Sequence, residues 1–202
     1  MAAKIKIENE KDDLLEFTLS GSSPAFANAL RRALMHEVPI LAVTDVDFIE
    51  NTSSIFDEYI AHRLGMVPLK TPKGLKLPKE CENGKCSSCT VSYSLDATGP
   101  ATIYSRELKP TNEDASPAFD GIPIMKLVEG QRLKLEAHAT LGIGREHARW
   151  QACLASYKAP KDGDFQFTLE SYGNLAPKEI LNKALEIIEE KAKELQKQLK
   201  EG

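Results

Sequence analysis

Ser22-Ser23-Pro24-Ala25-Phe26-Ala27-Asn28-Ala29-Leu30-Arg31-Arg32-Ala33-Leu34-Met35-His36-Glu37-Val38-Pro39 is the stretch from which the architecture is read. Ser22 or Ser23 offers a hydroxyl that caps a helix. Pro24 suits the first helical position, where its missing N–H costs nothing. Phe26, Ala29, Leu30, Ala33 and Leu34 recur at spacings of three and four, so they share one helix face, with Asn28, Arg31 and Arg32 flanking it. Val38 precedes Pro39 and is steered out of helical conformation, so the helix is expected to stop near Glu37. Toward the N-terminus, Lys4-Ile5-Lys6-Ile7-Glu8 and Leu15-Glu16-Phe17-Thr18-Leu19 alternate with period two. They predict a hairpin turning through residues 9–13.

In the other direction, residues 40–49 interleave Val43, Val46 and Phe48 with Thr44, Asp45 and Asp47, as a strand does. A short helix is expected over 56–64, stopped by Gly65 and Pro68. Residues 70–89, rich in Pro, Gly, Lys and Cys, read as a loop. Strands are expected at 90–95 and 101–108 around Gly99-Pro100, then at 122–127, 132–143 and 165–170, with a loop at 109–121. From Pro177 to about Leu199 there is no Gly and no internal Pro. Leu181, Leu185, Ile188, Ala192, Leu195 and Leu199 form a heptad seam there, widened early by Ile180, Ala184 and Ile187. Such a helix is roughly 35 Å long. Two readings stay open: a core helix that covers a sheet of its own chain, and a helix part of whose stripe meets a partner chain. Both hold if the first half is internal and the second half lies in an interface.

The 202 residues are 42% hydrophobic and 28% charged, the composition of a globular chain of one or two domains rather than a disordered one. No apolar run reaches the roughly 18 residues of a membrane span, and the N-terminus has no signal-like apolar region. Twenty-six basic and 30 acidic residues leave a net charge of −4. That disfavours a chain whose own task is to grip phosphates. A cytoplasmic location with reduced thiols or a metal site fits four cysteines without a leader.

Chemistry-bearing motifs are few. His36, His62, His138 and His147 match no zinc-protease spacing, and there is no Gly-x-Ser-x-Gly elbow or phosphate-binding loop. The Gly142/Gly144 pair lacks the third glycine of a dinucleotide fingerprint, since His147 stands there. One cluster remains. Cys86 and Cys89 have the C-x-x-C spacing of two thiolates on one tetrahedral metal, and Cys81 offers a third. A fourth ligand is to be sought in Cys153, a histidine or water. A plain loop with reduced thiols and a redox-active pair are the alternatives.

Three runs carry a family resemblance. One is Phe26 to Pro39, quoted above. The second is Ile55-Phe56-Asp57-Glu58-Tyr59-Ile60-Ala61-His62-Arg63-Leu64-Gly65-Met66-Val67-Pro68-Leu69. The third is Gly142-Ile143-Gly144-Arg145-Glu146-His147-Ala148-Arg149-Trp150. The chain resembles the D-type subunit of archaeal DNA-directed RNA polymerase over essentially its whole length. That family includes the bacterial alpha subunit's N-terminal domain and the eukaryotic third-largest polymerase II subunit.

The resemblance implies an α+β fold. A discontinuous dimerisation domain of an antiparallel sheet and helices would comprise residues 1–49 and 161–202, with a mostly β domain inserted at 50–160. It implies a non-catalytic scaffold that pairs with subunit L and anchors the large B-type subunit and the small subunits N and P. Catalysis and nucleic-acid contact would belong to the whole complex. Partner-binding residues on this reading are Phe26, Leu30, Arg31, Arg32 and Leu34 on the first helix, with Leu185, Ile188, Leu195 and Leu199 on the last. Some members insert a ferredoxin-like module after the segment matching residues 153–157; here Lys158 to Gly163 leads straight toward Phe165, so no iron–sulfur cluster is expected. Eukaryotic relatives hold zinc with four cysteines in the loop matching 81–89, of which three stand here. Two other classes stay open: a freestanding metal-binding interaction domain and a small thiol enzyme.

Overall fold

The computed structural model describes residues 3–81, 86, 88–159 and 164–201. In chain order its elements are β1 (Lys4–Lys11), β2 (Leu14–Ser20), α1 (Pro24–His36), β3 (Ile40–Asn51), α2 (Asp57–Gly65), β4 (Thr90–Thr98), β5 (Ala101–Tyr104), β6 (Lys109–Pro110), β7 (Pro123–Leu127), β8 (Arg132–Gly142), β9 (Cys153–Lys158), β10 (Phe165–Ser171) and α3 (Pro177–Glu201). Short 3-10 turns lie at Pro78–Glu80, Ser105–Glu107, Glu113–Ala115 and Ala148–Trp150. The fold class is α+β with antiparallel sheets.

The chain divides into two compact units, residues 1–38 with 143–202, and residues 39–142. The joints differ from the 49/50 and 160/161 expected above because of strand pairing. β3 is paired along its length with β8, which keeps residues 40–51 with the inserted unit, whereas β9 is paired with β10 in the other.

In the discontinuous unit the sheet order is β1-β2-β10-β9. The period-two pattern of β2 and β10 puts Leu15, Phe17, Leu19, Phe165, Phe167 and Leu169 on one buried face, where the rings of Phe17 and Phe167 stack at 4.8 Å. Against it lie Ala27, Leu30, Ala33 and Leu34 of α1 and Ile180, Leu181 and Ala184 of α3, all buried. Each fully buried Leu or Phe contributes about 1.5–3 kcal/mol. Ser23 caps α1, its Oγ accepting from the Phe26 N–H at 3.2 Å. The N-terminal hairpin turns only at Asp12-Asp13. Residues 9–11, expected in the turn, continue β1 past a bulge and pair with residues 14–16.

The other unit packs a β3-β8-β4-β6 sheet and a β5-β7 ribbon around one apolar core that includes Leu41, Val43, Ile60, Leu64, Tyr93 and Leu135. Two polar anchors hold its loops, one from the buried Tyr93 and one from the exposed Arg63. Tyr93 donates its hydroxyl to the Ala115 carbonyl at 2.6 Å, and Arg63 donates through Nε to the Ile124 carbonyl at 2.6 Å and through a terminal nitrogen to Pro123. The strand expected at 101–108 ends at Tyr104, where Ser105 turns the backbone and bonds with both the Phe119 carbonyl and the Ile122 N–H. Of the direct passage from Lys158 to Gly163, residues 160–163 lie outside the described residues.

Candidate functional site

The two helices named from the sequence do come together. α1 lies beside α3, and Lys191 of α3 is ion-paired with the Glu37 C-cap of α1 at 2.9 Å. Between them runs an open groove of ≈ 370 Å³, lined by Asn28, Ala29 and Arg32 from one helix and by Ile187, Ile188 and Lys191 from the other. The apolar stripe of α1 is rotated from its expected setting. Ala27, Leu30, Ala33 and Leu34 point inward, Phe26 is half-buried, and Ala29 faces the groove. Leu30 and Leu34 are therefore core residues, not surface contacts. Arg31 is half-buried along Met35 and donates to Asn28 Oδ1 at 3.1 Å, while Arg32 is exposed.

Along α3 the seam splits. Ile180, Leu181 and Ala184 are buried, Leu185, Ile187 and Ile188 half-buried, and every residue from Glu189 to Glu201 is exposed. Leu195 keeps 62% and Leu199 84% of its surface in solvent. Three turns of a heptad helix thus carry leucines that no described residue covers.

A second exposed apolar ridge was not singled out from the sequence. Phe56, at the start of α2, is 80% exposed, Tyr59 61% and Met66 49%. Tyr59, His62, Arg63 and Met66 flank a groove of ≈ 340 Å³ with Ile122 and Ile124 beyond. A signal was available. For Tyr59 it is the one-residue offset from Ile60 and Leu64, which share the buried face; Phe56 stands four residues before Ile60 and is turned outward only by its extended N-cap backbone.

Cys81, Cys86 and Cys89 converge, with all three sulfurs within 4.8 Å of one another. Sγ of Cys86 lies 3.2 Å from Cys81 and 3.3 Å from Cys89. The backbone makes the approach: the N–H groups of Cys89 and Thr90 both bond to the Cys86 carbonyl at 2.9 Å, folding the chain back as it enters β4. Hydrogen bonds from the Cys81 and then the Cys89 thiol lower Cys86 to about 7. The same contact, above all with Cys86, pushes Cys81 up to about 12. Thiolates on a tetrahedral zinc stand about 3.8 Å apart, so three ligands fit one ion after small adjustment. Among the described residues no fourth joins them. Cys153, considered as a fourth ligand, is fully buried in the discontinuous unit, where its thiol donates to the Leu34 carbonyl at 3.3 Å. Residues 82–85 and 87 of this loop lie outside the described residues.

One constellation went unread because no nucleophile elbow announces it. Ser92 Oγ lies 3.0 Å from His138 Nδ1, and His138 Nε2 lies 3.0 Å from Asp47 Oδ2, across β4, β8 and β3. Acyl transfer needs N–H donors free for an oxyanion. The Ser92 N–H is instead bonded to Thr111 Oγ1 at 3.2 Å, so the row reads as a cross-strand polar clasp.

Residues 46–156 match the family described as the RNA polymerase Rpb3/RpoA insert domain. A Methanocaldococcus jannaschii protein named DNA-directed RNA polymerase subunit Rpo3 is 41% identical over 185 residues, covering 91% of this chain and 90% of that relative. The chain belongs to the Rpo3 family. The Rpo3 of Pyrococcus horikoshii is 48% identical over 155 residues, which span 77% of this chain but 59% of that relative. The Rpo3 of Archaeoglobus fulgidus aligns over 262 positions at 35% identity, against the 202 residues here. That Rpo3 therefore holds segments without a counterpart in this chain. No helix among the described residues is long and apolar enough to cross a membrane.

Proposed function

We propose that the chain is the non-catalytic assembly subunit of an archaeal DNA-directed RNA polymerase. It pairs with subunit L and holds the large B-type subunit and the small subunits N and P in a cytoplasmic complex. The nucleotidyl-transfer chemistry and the contacts to nucleic acid belong to the assembled enzyme. The observation that carries this reading is the bare distal half of α3, whose leucines remain in water while the proximal half covers its own sheet. The distal turns of this heptad seam stabilise nothing until a second helix meets them. The groove between α1 and α3 extends that face, with Arg32 and Lys191 at its rim. The α2 ridge of Phe56, Tyr59 and Met66 is a second surface, suited to a large subunit.

Zinc on Cys81, Cys86 and Cys89, with water as the remaining ligand, is a structural accessory in this reading. It would tie residues 81–89 to the start of β4 without bearing on the pairing. Co-expression with subunit L tests the scaffold role: a 1:1 complex in size-exclusion chromatography is expected. A chain that stays monomeric in the presence of subunit L overturns it.

A further inference from the structure

The three clustered thiols have a chemistry that neither pairing nor zinc binding uses. Cys86 stands between two neighbours at nearly equal distance, 3.2 Å from Cys81 and 3.3 Å from Cys89, sulfur to sulfur. Cys81 and Cys86 are partly open to solvent and Cys89 is buried. A small oxidant therefore meets Cys81 or Cys86 first, and a resolving thiol is already within contact. Redox-sensitive cysteines often pair an accessible sulfur with an adjacent resolving one in this way. The fourth thiol of the chain, Cys153, is fully buried and bonded to the Leu34 carbonyl, which leaves it outside the reaction.

We propose that the metal-free loop is an oxidation site in which Cys86 is the shared sulfur, closing an intrachain disulfide with Cys81 or Cys89 when hydrogen peroxide oxidises it. In the first step the Cys86 sulfur attacks the peroxide. An S–O bond forms, the O–O bond breaks, and hydroxide leaves and takes up the thiol proton as water. In the second step the neighbouring thiol attacks the sulfenic sulfur. An S–S bond forms, the S–O bond breaks, and a second water leaves with that thiol's proton. Two electrons pass from two sulfurs to one peroxide, and no other reactant is needed. The site is independent of the polymerase reading, since it needs only this loop.

The test uses the full chain stripped of metal with a chelator and treated with hydrogen peroxide. The expected result is a fall from four free thiols to two and a mass loss of about 2 Da, with peptide mapping of the unaltered chain placing Cys86 in the bond. Cys81→Ser and Cys89→Ser each retain a disulfide through the remaining neighbour. Cys86→Ser slows closure by about tenfold, because it removes the sulfur in contact with both others. A mapped bond to Cys153, a disulfide between chains, oxidation only to sulfinic acid, or a Cys86→Ser variant that closes as fast as the parent overturns the proposal.

Discussion

Cys153 shows a single side chain taking its chemistry from its surroundings. Burial in the discontinuous unit pushes its thiol up to about 12 from an ordinary value of 9.0. The folded chain therefore keeps a proton that the unfolded chain releases near pH 9. The stability this adds is fully present below about pH 9 and is lost as pH rises toward about 12. Iodoacetamide at about pH 8 is expected to leave native Cys153 unmodified and to label it once the chain is denatured, as mass mapping reads directly. Cys153→Ala should flatten the fall in stability above about pH 9, measured by urea titration at several pH values. Gly144 makes a different point, because its missing side chain is what the structure needs. A Cβ there would stand 2.5 Å from the Met35 carbonyl oxygen and 3.2 Å from the His36 Cα. Both are backbone atoms of the C-terminal turn of α1, which cannot swing aside as a long side chain would. Gly144→Ala is expected to cost about 1–3 kcal/mol in urea unfolding.

At the scale of elements, α3 serves two purposes along one seam. Leu181 is 4% exposed and Leu195 62%, so the same substitution has opposite readouts at the two ends. Leu181→Asp buries a carboxylate among apolar neighbours and should cost about 3 kcal/mol or more unless it protonates. Leu195→Asp should change the stability of the isolated chain by less than about 0.5 kcal/mol while abolishing the complex with subunit L. Ile188→Asp, half-buried beside the groove, should reduce both. Thermal unfolding of the chain alone and size-exclusion chromatography with subunit L separate the two effects. For α2 the same logic predicts that Tyr59→Asp leaves folding intact and impairs incorporation into the larger assembly, read by co-purification with the large B-type subunit. Arg63 is exposed beside that ridge, but its guanidinium is committed to two backbone carbonyls of its own unit.

For the molecule as a whole, charge and unpartnered apolar surface point the same way. A chain with net charge −4 has little electrostatic attraction for nucleic acid. Filter binding with duplex DNA is expected to show only weak association. Affinity near nanomolar with a steep salt dependence would contradict it. Exposed apolar faces on α2 and α3 favour association when the partners are missing, so the chain expressed alone should self-associate or precipitate. The metal loop is expected to matter little at this scale. Cys86 is only half-buried and stands outside the apolar core of its unit, so Cys86→Ser should leave pairing with subunit L intact. Elemental analysis should find less than one zinc per chain when only three thiolates hold it. A firm one zinc per chain, lost together with pairing on that substitution, would show the loop to be part of the scaffold.

The elements legible in the sequence are those whose pattern is local. Ser23 and Pro24 announce α1, the alternation of Phe165, Phe167 and Leu169 announces β10, and the unbroken run after Pro177 announces α3. The cysteine spacing likewise marked the loop as the one place with metal chemistry. β9 escaped because Cys153, Ala155 and Ser156 are too small to display a period-two hydrophobic signal, although the strand alternates inside and outside once paired with β10. Which face of α1 turns inward, and that residues 40–51 belong with the inserted unit, depend on partners far along the chain. A helix with alanines all round offers several nearly equivalent rotations, and long-range pairing with α3 and β8 selects one. The Ser92–His138–Asp47 clasp is likewise a product of register between distant strands, whereas the three sulfurs meet through local turns around the Cys86 carbonyl. Spacing determines which side chains are available and which faces can be apolar. Only the tertiary structure decides which of those faces are consumed by the chain's own core and which, like the distal turns of α3, are left for another molecule.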